Sequence, residues 1–140
     1  MRSECPLNYG LEVFGDKWTL LIVRDLMFFN KRYYNEFLTS REGISTNILA
    51  DRLALLEKWQ LISKKNVANH KQKILYSLTE KGIDLLPLII DIGLWSDQYA
   101  EQLLDIDKAL MLGEIKNNRA EGLSSKRDKL MAEHIFNITN

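Results

Sequence analysis

Residues 44–79 constrain this chain more than any other stretch, because few arrangements of a helix and a hairpin satisfy them. The run opens Ile44-Ser45-Thr46-Asn47-Ile48-Leu49-Ala50-Asp51-Arg52-Leu53-Ala54-Leu55-Leu56-Glu57-Lys58. Ser45 is a credible N-cap, since its hydroxyl can accept a free N–H of the first helical turn. Leu49, Leu53 and Leu56 are spaced four and three apart, so they share one face and anchor the helix to a core. Asn47, Asp51, Ala54 and Lys58 fall on the opposite face, with Ala50 and Leu55 on its flanks. Leu61-Ile62 and residues 74–78 then have strand character, and residues 66–72 supply the turn between them. Five lysines and no acid occupy residues 58–79. A helix with a polar outer face, followed by a basic hairpin, suits a DNA major groove and the phosphates beside it.

The rest of the chain reads as helices. Pro6 suits a first helical turn, and Leu7, Leu11 and Phe14 recur at helical spacing. Gly15 ends that segment and Asp16 can cap the next, whose apolar stripe is Trp18, Leu21, Ile22, Leu26 and Phe29. Residues 34–38 form a short helix ending before Gly43. Thr79 predicts the cap of one long helix carrying Leu85, Leu86, Leu88, Ile89, Ile92, Trp95 and Tyr99. Pro87 lies inside it and is expected to bend it or remove one hydrogen bond. That helix is apolar on more than one side, more than a small domain needs for its own core. Leu103, Leu104, Ile106, Leu110 and Met111 predict another amphipathic helix, and residues 123–138 a weaker one.

At 140 residues and 16.3 kDa, the chain fits one domain, or one domain with an appendage. A zero net charge argues at first against nucleic acid, but its distribution argues the other way. Residues 1–78 hold twelve Lys or Arg against eight Asp or Glu, a balance of +4, and residues 79–140 hold seven against eleven, a balance of −4. A neutral total can hide a basic face opposite an acidic one. The apolar runs are too short to span a bilayer, and the start leads into no signal-peptide core. A single cysteine excludes an internal disulfide framework and suits a reducing compartment. The expectation is a cytoplasmic protein with no membrane partner.

Several motifs carry a family resemblance. They are Cys5-Pro6, Asp16-Lys17-Trp18-Thr19-Leu20-Leu21-Ile22, Ile44-Ser45, Leu53 with Leu56-Glu57 and Leu61-Ile62, Tyr76-Ser77-Leu78-Thr79, and Gly82. As an ordered set they resemble the HxlR-type, MarR-related winged-helix regulators, from about residue 5 to residue 99. The resemblance implies a dimeric transcription regulator binding palindromic operators, with terminal helices pairing the subunits. The expected fold class is mainly α with a small β-hairpin wing: a winged helix-turn-helix, dimeric through N- and C-terminal helices. Residues 1–101 would form that domain with its dimerisation helices, and residues 102–140 a C-terminal helical extension. If Glu36 aligns with the family's glutamate, Tyr33 stands where arginine is usual and Asn30 where glycine is usual. Arg32 or Lys31 could then supply the phosphate contact. The wing also lacks a proline often found before its second strand.

The expected double-stranded DNA operator would meet Ser45, Thr46, Asn47, Ala50, Asp51 and Arg52. Asn47 can pair with adenine, Thr46 can touch a thymine methyl or a phosphate, and Arg52 can reach phosphate or guanine. Asp51 would accept from cytosine or orient Arg52. The alternative is a solvated face of a structural helix. Lys64, Lys65, His70, Lys71 and Lys73 would neutralise phosphates from the wing, or merely keep a hairpin soluble. Cys5 falls at an N-cap, where the helix dipole favours thiolate. It is either a sensor of oxidants and electrophiles, as the resemblance implies, or an inert packing residue. Leu88, Ile92, Trp95 and Tyr99 are expected to form the homodimer and core, with an aromatic effector pocket as the alternative. No metal-ligand spacing, cofactor loop or nucleophile motif is present. The rival classes are a regulator gated by a non-covalent aromatic ligand and a protein-interaction module, with an enzyme last.

Overall fold

A computed structural model describes residues 1–67 and 70–137, the side chains of residues 70–72 excepted. The element order is α1 (Pro6–Phe14), α2 (Thr19–Phe28), α3 (Tyr34–Phe37), α4 (Thr46–Lys58), β1 (Ile62–Val67), β2 (His70–Leu78), α5 (Glu80–Ile83), α6 (Leu86–Tyr99), α7 (Asp105–Asn117) and α8 (Arg119–Met131). A π-helical turn (Ala132–Phe136) closes the series. The fold is a winged helix-turn-helix, with α3 and α4 as the motif and β1–β2 as the wing. No helix among the described residues is long and apolar enough to cross a membrane.

Local chemistry explains most boundaries. Asp16 Oδ1 accepts the N–H groups of Trp18 and Thr19 at 2.8 and 3.0 Å, which starts α2. Glu36 Oε1 accepts the N–H groups of Arg32 and Tyr33 at the start of α3. Ser45 Oγ accepts from Ile48 at 3.3 Å and caps α4. That helix ends in a Schellman pattern: Leu61 N–H donates to Leu56 and Gln60 N–H to Glu57, both at 2.9 Å. Gln60 takes the left-handed conformation there (φ 59°), where glycine is the unstrained residue. Asn30 is also left-handed (φ 58°), and asparagine tolerates that region better than most non-glycine residues.

Around α5 and α6 the structure departs from the sequence expectations. Thr79 caps the short α5, accepting from Gly82 N–H at 3.1 Å, rather than one long helix. Pro87 does not interrupt a helix: it stands in the first turn of α6, where its missing N–H costs nothing. Gly82 also lets α5 approach the wing, since a Cβ there would lie 2.1 Å from the Leu61 carbonyl oxygen. The strands reach further into the expected turn than composition suggests, with Asn66 paired to Ile74 and Val67 to His70 across a bulge.

The core gathers Ile22, Val23 and Leu26 of α2, Phe37 of α3, and Leu49, Leu53 and Leu56 of α4. Ile62 and Leu78 of the wing, and Ile83, Leu86 and Ile90 behind it, complete the main body. Leu112, Ile115 and Leu130 join the same cluster, so α7 and α8 pack onto this core rather than trailing from it. Asn118 ends α7 and caps α8, accepting from Glu121 N–H at 3.1 Å. Most of the stripe expected for the α7 segment faces outward, with Ile106 62% and Leu110 54% exposed, while Met111 is half-buried against the core. The buried residues of α7 are instead Leu112 and Ile115.

Candidate nucleic-acid interface

Helix α4 is held from three sides. Leu49, Leu53 and Leu56 are almost wholly buried. Tyr34 donates its hydroxyl to the Thr46 carbonyl at 2.8 Å, tying α3 to the start of α4. Arg52 Nε donates to Asp16 Oδ1 at 3.0 Å, tying α4 to the start of α2. Burial pushes the Asp16 carboxyl up, but hydrogen bonds from Thr19, the Trp18 N–H and Arg52 outweigh it and hold it below the usual range. Ser45, Thr46, Asn47, Ala50, Asp51, Ala54 and Lys58 remain exposed. The helix therefore presents a polar N-terminal face on a rigid mount.

Arg52 is less available than its sequence position suggests. Its guanidinium is engaged by both Asp16 and Asp51, so the acid beside it orients the arginine. Arg32 departs further from expectation. It points inward, donating to the Tyr76 carbonyl at 2.8 Å and to Ser77 Oγ at 2.6 Å. Together with the Tyr33–Leu75 bridge, it fastens the residues before α3 to the wing as a third edge. Lys31, the other substitute for a phosphate contact, reaches the buried Asp25 at 3.3 Å and Ser40 at 2.9 Å. Arg24 meets the same carboxylate at 2.7 Å. A carboxylate inside the protein must be paired, and these cations answer that need.

Along the wing, strand alternation separates the lysines. Lys64 lies opposite Tyr76 and forms an ion pair with Glu57 of α4 at 3.4 Å. Lys65 is exposed and lies opposite Leu75 on the other face. Lys73 is exposed, with its ammonium 4.4 Å from the centroid of the Tyr33 ring. The expected contacts of His70 and Lys71 concern side chains that lie outside the described residues.

Cys5 is the N-cap of α1 and is exposed. The N–H groups of Asn8 and Leu7 hold its thiol below the usual value, although the sulfur makes no full cap hydrogen bond. On α6, Leu88 is half-buried while Ile92, Trp95 and Tyr99 form an exposed stripe, Trp95 at 66%. The Trp95 and Tyr99 rings lie 5.4 Å apart.

Sequence reasoning passed over His134. It is buried in the π-turn, and its Nδ1 accepts the Leu78 N–H at 3.0 Å, which joins the C-terminal segment to the base of the wing. Burial, reinforced by nearby Arg32, lowers its pKa to about 4. No spacing rule marks such a residue, because its partner is a backbone N–H 56 positions away.

The mount, the displayed face and the wing define a helix-turn-helix transcriptional regulator. Residues 13–104 match the model of the HxlR-like helix-turn-helix family, and the chain belongs to that family. Among curated relatives, the HTH-type transcriptional regulator YodB of Bacillus subtilis (strain 168) is 32% identical over 71% of this chain and 89% of its own. The reduced form of YodB superposes with a TM-score of 0.58 at 30% identity, covering 71% of this chain and 97% of that one. YodB is also known in a quinone-bound structure, with a TM-score of 0.55 at 31% identity over 68% of this chain and 100% of that one. The redox regulator HypR in its oxidised form gives 0.62 at 27% identity, covering 70% of this chain and 100% of that one.

Proposed function

We propose that this regulator is a sequence-specific, homodimeric DNA-binding protein whose Cys5 thiolate senses oxidants or electrophiles. The observation that carries the DNA reading is the exposed face of Thr46, Asn47, Ala50 and Asp51, backed by three buried leucines on a capped helix. Two such helices, set roughly 34–36 Å apart by a twofold assembly, would enter successive major grooves. Asn47 is our candidate for adenine readout, Thr46 for a methyl or phosphate, and Lys64, Lys65 and Lys73 for phosphates. Arg32 is left out, because its guanidinium serves the wing.

The exposed apolar stripe of α6 supports the dimer, since isolated subunits rarely display such surface without a partner. Residues 1–101 form the DNA-binding and dimerising part in this reading, and residues 102–140 an extension. The sensing proposal rests on the lowered thiol of Cys5 and on likeness to a quinone-bound and a redox regulator. The sulfur would add to a quinone carbon, the quinone ring taking up the electron pair and a proton. Alternatively, two thiols would join as a disulfide while diamide takes their two electrons and two protons.

A gel shift on DNA upstream of the chain's own gene tests both parts. Asn47→Ala should lower specific affinity about tenfold and leave non-specific binding in place. Equal affinity in variant and wild type would remove Asn47 from readout. Quinone or diamide should release wild type from DNA but not Cys5→Ser. An identical response in both would eliminate the cysteine switch.

A further inference from the structure

Resting on the DNA reading above, we infer that the C-terminal segment belongs to the DNA-binding apparatus, with His134 as a positioning residue for the wing. It holds the base of β2 so that the wing lysines meet phosphates while α4 occupies the groove.

A two-stranded hairpin is marginal on its own, and the outer edge of a strand carries N–H and C=O groups that need partners. The base of β2 finds them in two distant segments. Tyr76 N–H donates to the Arg32 carbonyl at 2.8 Å, and Arg32 Nε donates back to the Tyr76 carbonyl at 2.8 Å. Two residues on, Leu78 N–H donates to His134 Nδ1 at 3.0 Å. The chain before α3 therefore holds one point of the edge, and the C-terminal π-turn holds the next. Residue 134 lies well beyond residue 104, where the family match ends.

The His134 bond sits where water cannot replace it. His134 is 1% and Leu78 0% exposed, so loss of the acceptor leaves a buried N–H unpaired. The Leu26 backbone, in the last turn of α2, also faces the ring as a hydrogen-bond acceptor. One imidazole thus joins β2 to α2. The other end of α2 is tied to α4, because Asp16 before it takes Arg52. Wing and recognition helix are in this way set against the same helix, which fixes the angle between them. Leu130, wholly buried in the core, delivers the π-turn to its place. Lys65 and Lys73 stand further along the hairpin than Leu78, so a tilt at the base is magnified where the cations are.

Variants of the full chain test this, with the DNA upstream of its own gene and a duplex of unrelated sequence as probes. His134→Leu should weaken binding to both about tenfold. It should also reduce the slope of log affinity against log salt by about 1–2, as one or two wing phosphates are lost. The preference for one probe over the other should hold, since base readout stays on α4. Partial unfolding would lower the active fraction and leave the slope alone. His134→Asn, whose Oδ1 stands near the Nδ1 position, should restore affinity and slope together. Amide exchange should quicken at Tyr76 and Leu78 in His134→Leu, with α4 as protected as in wild type. Should His134→Leu not fold, His134→Gln, with its amide one bond further out, carries the same comparison. A wild-type slope in the leucine variant, or no recovery in the asparagine variant, would overturn the inference. So would a loss confined to the upstream DNA, which would place the defect in α4. Wild type that forms no salt-dependent complex with either duplex would instead sink the DNA reading, and this role with it.

Discussion

Helices α4 and α6 carry apolar stripes of similar spacing, and the fold treats them in opposite ways. Leu49, Leu53 and Leu56 disappear into the core, whereas Ile92, Trp95 and Tyr99 stay exposed on a helix whose buried face is Leu86, Ile89 and Ile90. Periodicity locates a stripe but does not say what covers it. The difference is one of supply: α4 has a single apolar face and a polar one, whereas α6 has two apolar faces and only one core to fill.

The contrast can be broken most directly at its buried end. Leu56→Ala should lower unfolding free energy by about 2–5 kcal/mol in urea melts, through lost transfer energy and the cavity left behind. A loss below about 1 kcal/mol would mean that α4 is not anchored as described.

The next effect comes from the C-terminal segment that backs α6. His134 is neutral when folded, with a pKa lowered from 6.5 to about 4, so the unfolded chain takes up a proton first as pH falls. The stabilisation is complete above about pH 6.5 and is lost progressively down to about pH 4, on the order of 3 kcal/mol in all. Urea melts of wild type and His134→Gln across this window check it. Parallel profiles would show that this histidine does not titrate as described.

Ser45→Ala should cost about 1 kcal/mol by removing the cap of α4, read from the same melts. Trp95→Ala should have the smallest effect on the isolated subunit, within about 0.5 kcal/mol at high dilution. It should nonetheless weaken self-association in sedimentation runs. If it destabilises the dilute chain as strongly as Leu56→Ala, the two stripes are equivalent after all and the contrast fails.

Much of α4 was legible because its signals are local. A serine before the helix, leucines at helical spacing and a polar opposite face all act within a few residues of one another. The wing was legible in kind but not in length, since Asn66 carries little strand preference, Val67 stands alone beside a polar run, and both are recruited by pairing with β2. Pro87 was misread because its meaning depends on where the helix begins, and α5 closes three residues before α6 starts. Arg32 looked like a phosphate ligand by charge alone. Its role was set by the carbonyl of Tyr76 and the hydroxyl of Ser77, some 44 and 45 positions along.

By itself, the sequence determined the helix-turn-helix class, the register of α4 and the polar face it displays, because capping and periodicity are short-range effects. Tertiary structure alone decided which cations are drawn inward, as Arg24, Lys31 and Arg32 are, which apolar stripe stays uncovered, and how His134 reaches the wing. Those outcomes depend on which distant groups share a low-dielectric interior, where a charge or an N–H must find its partner.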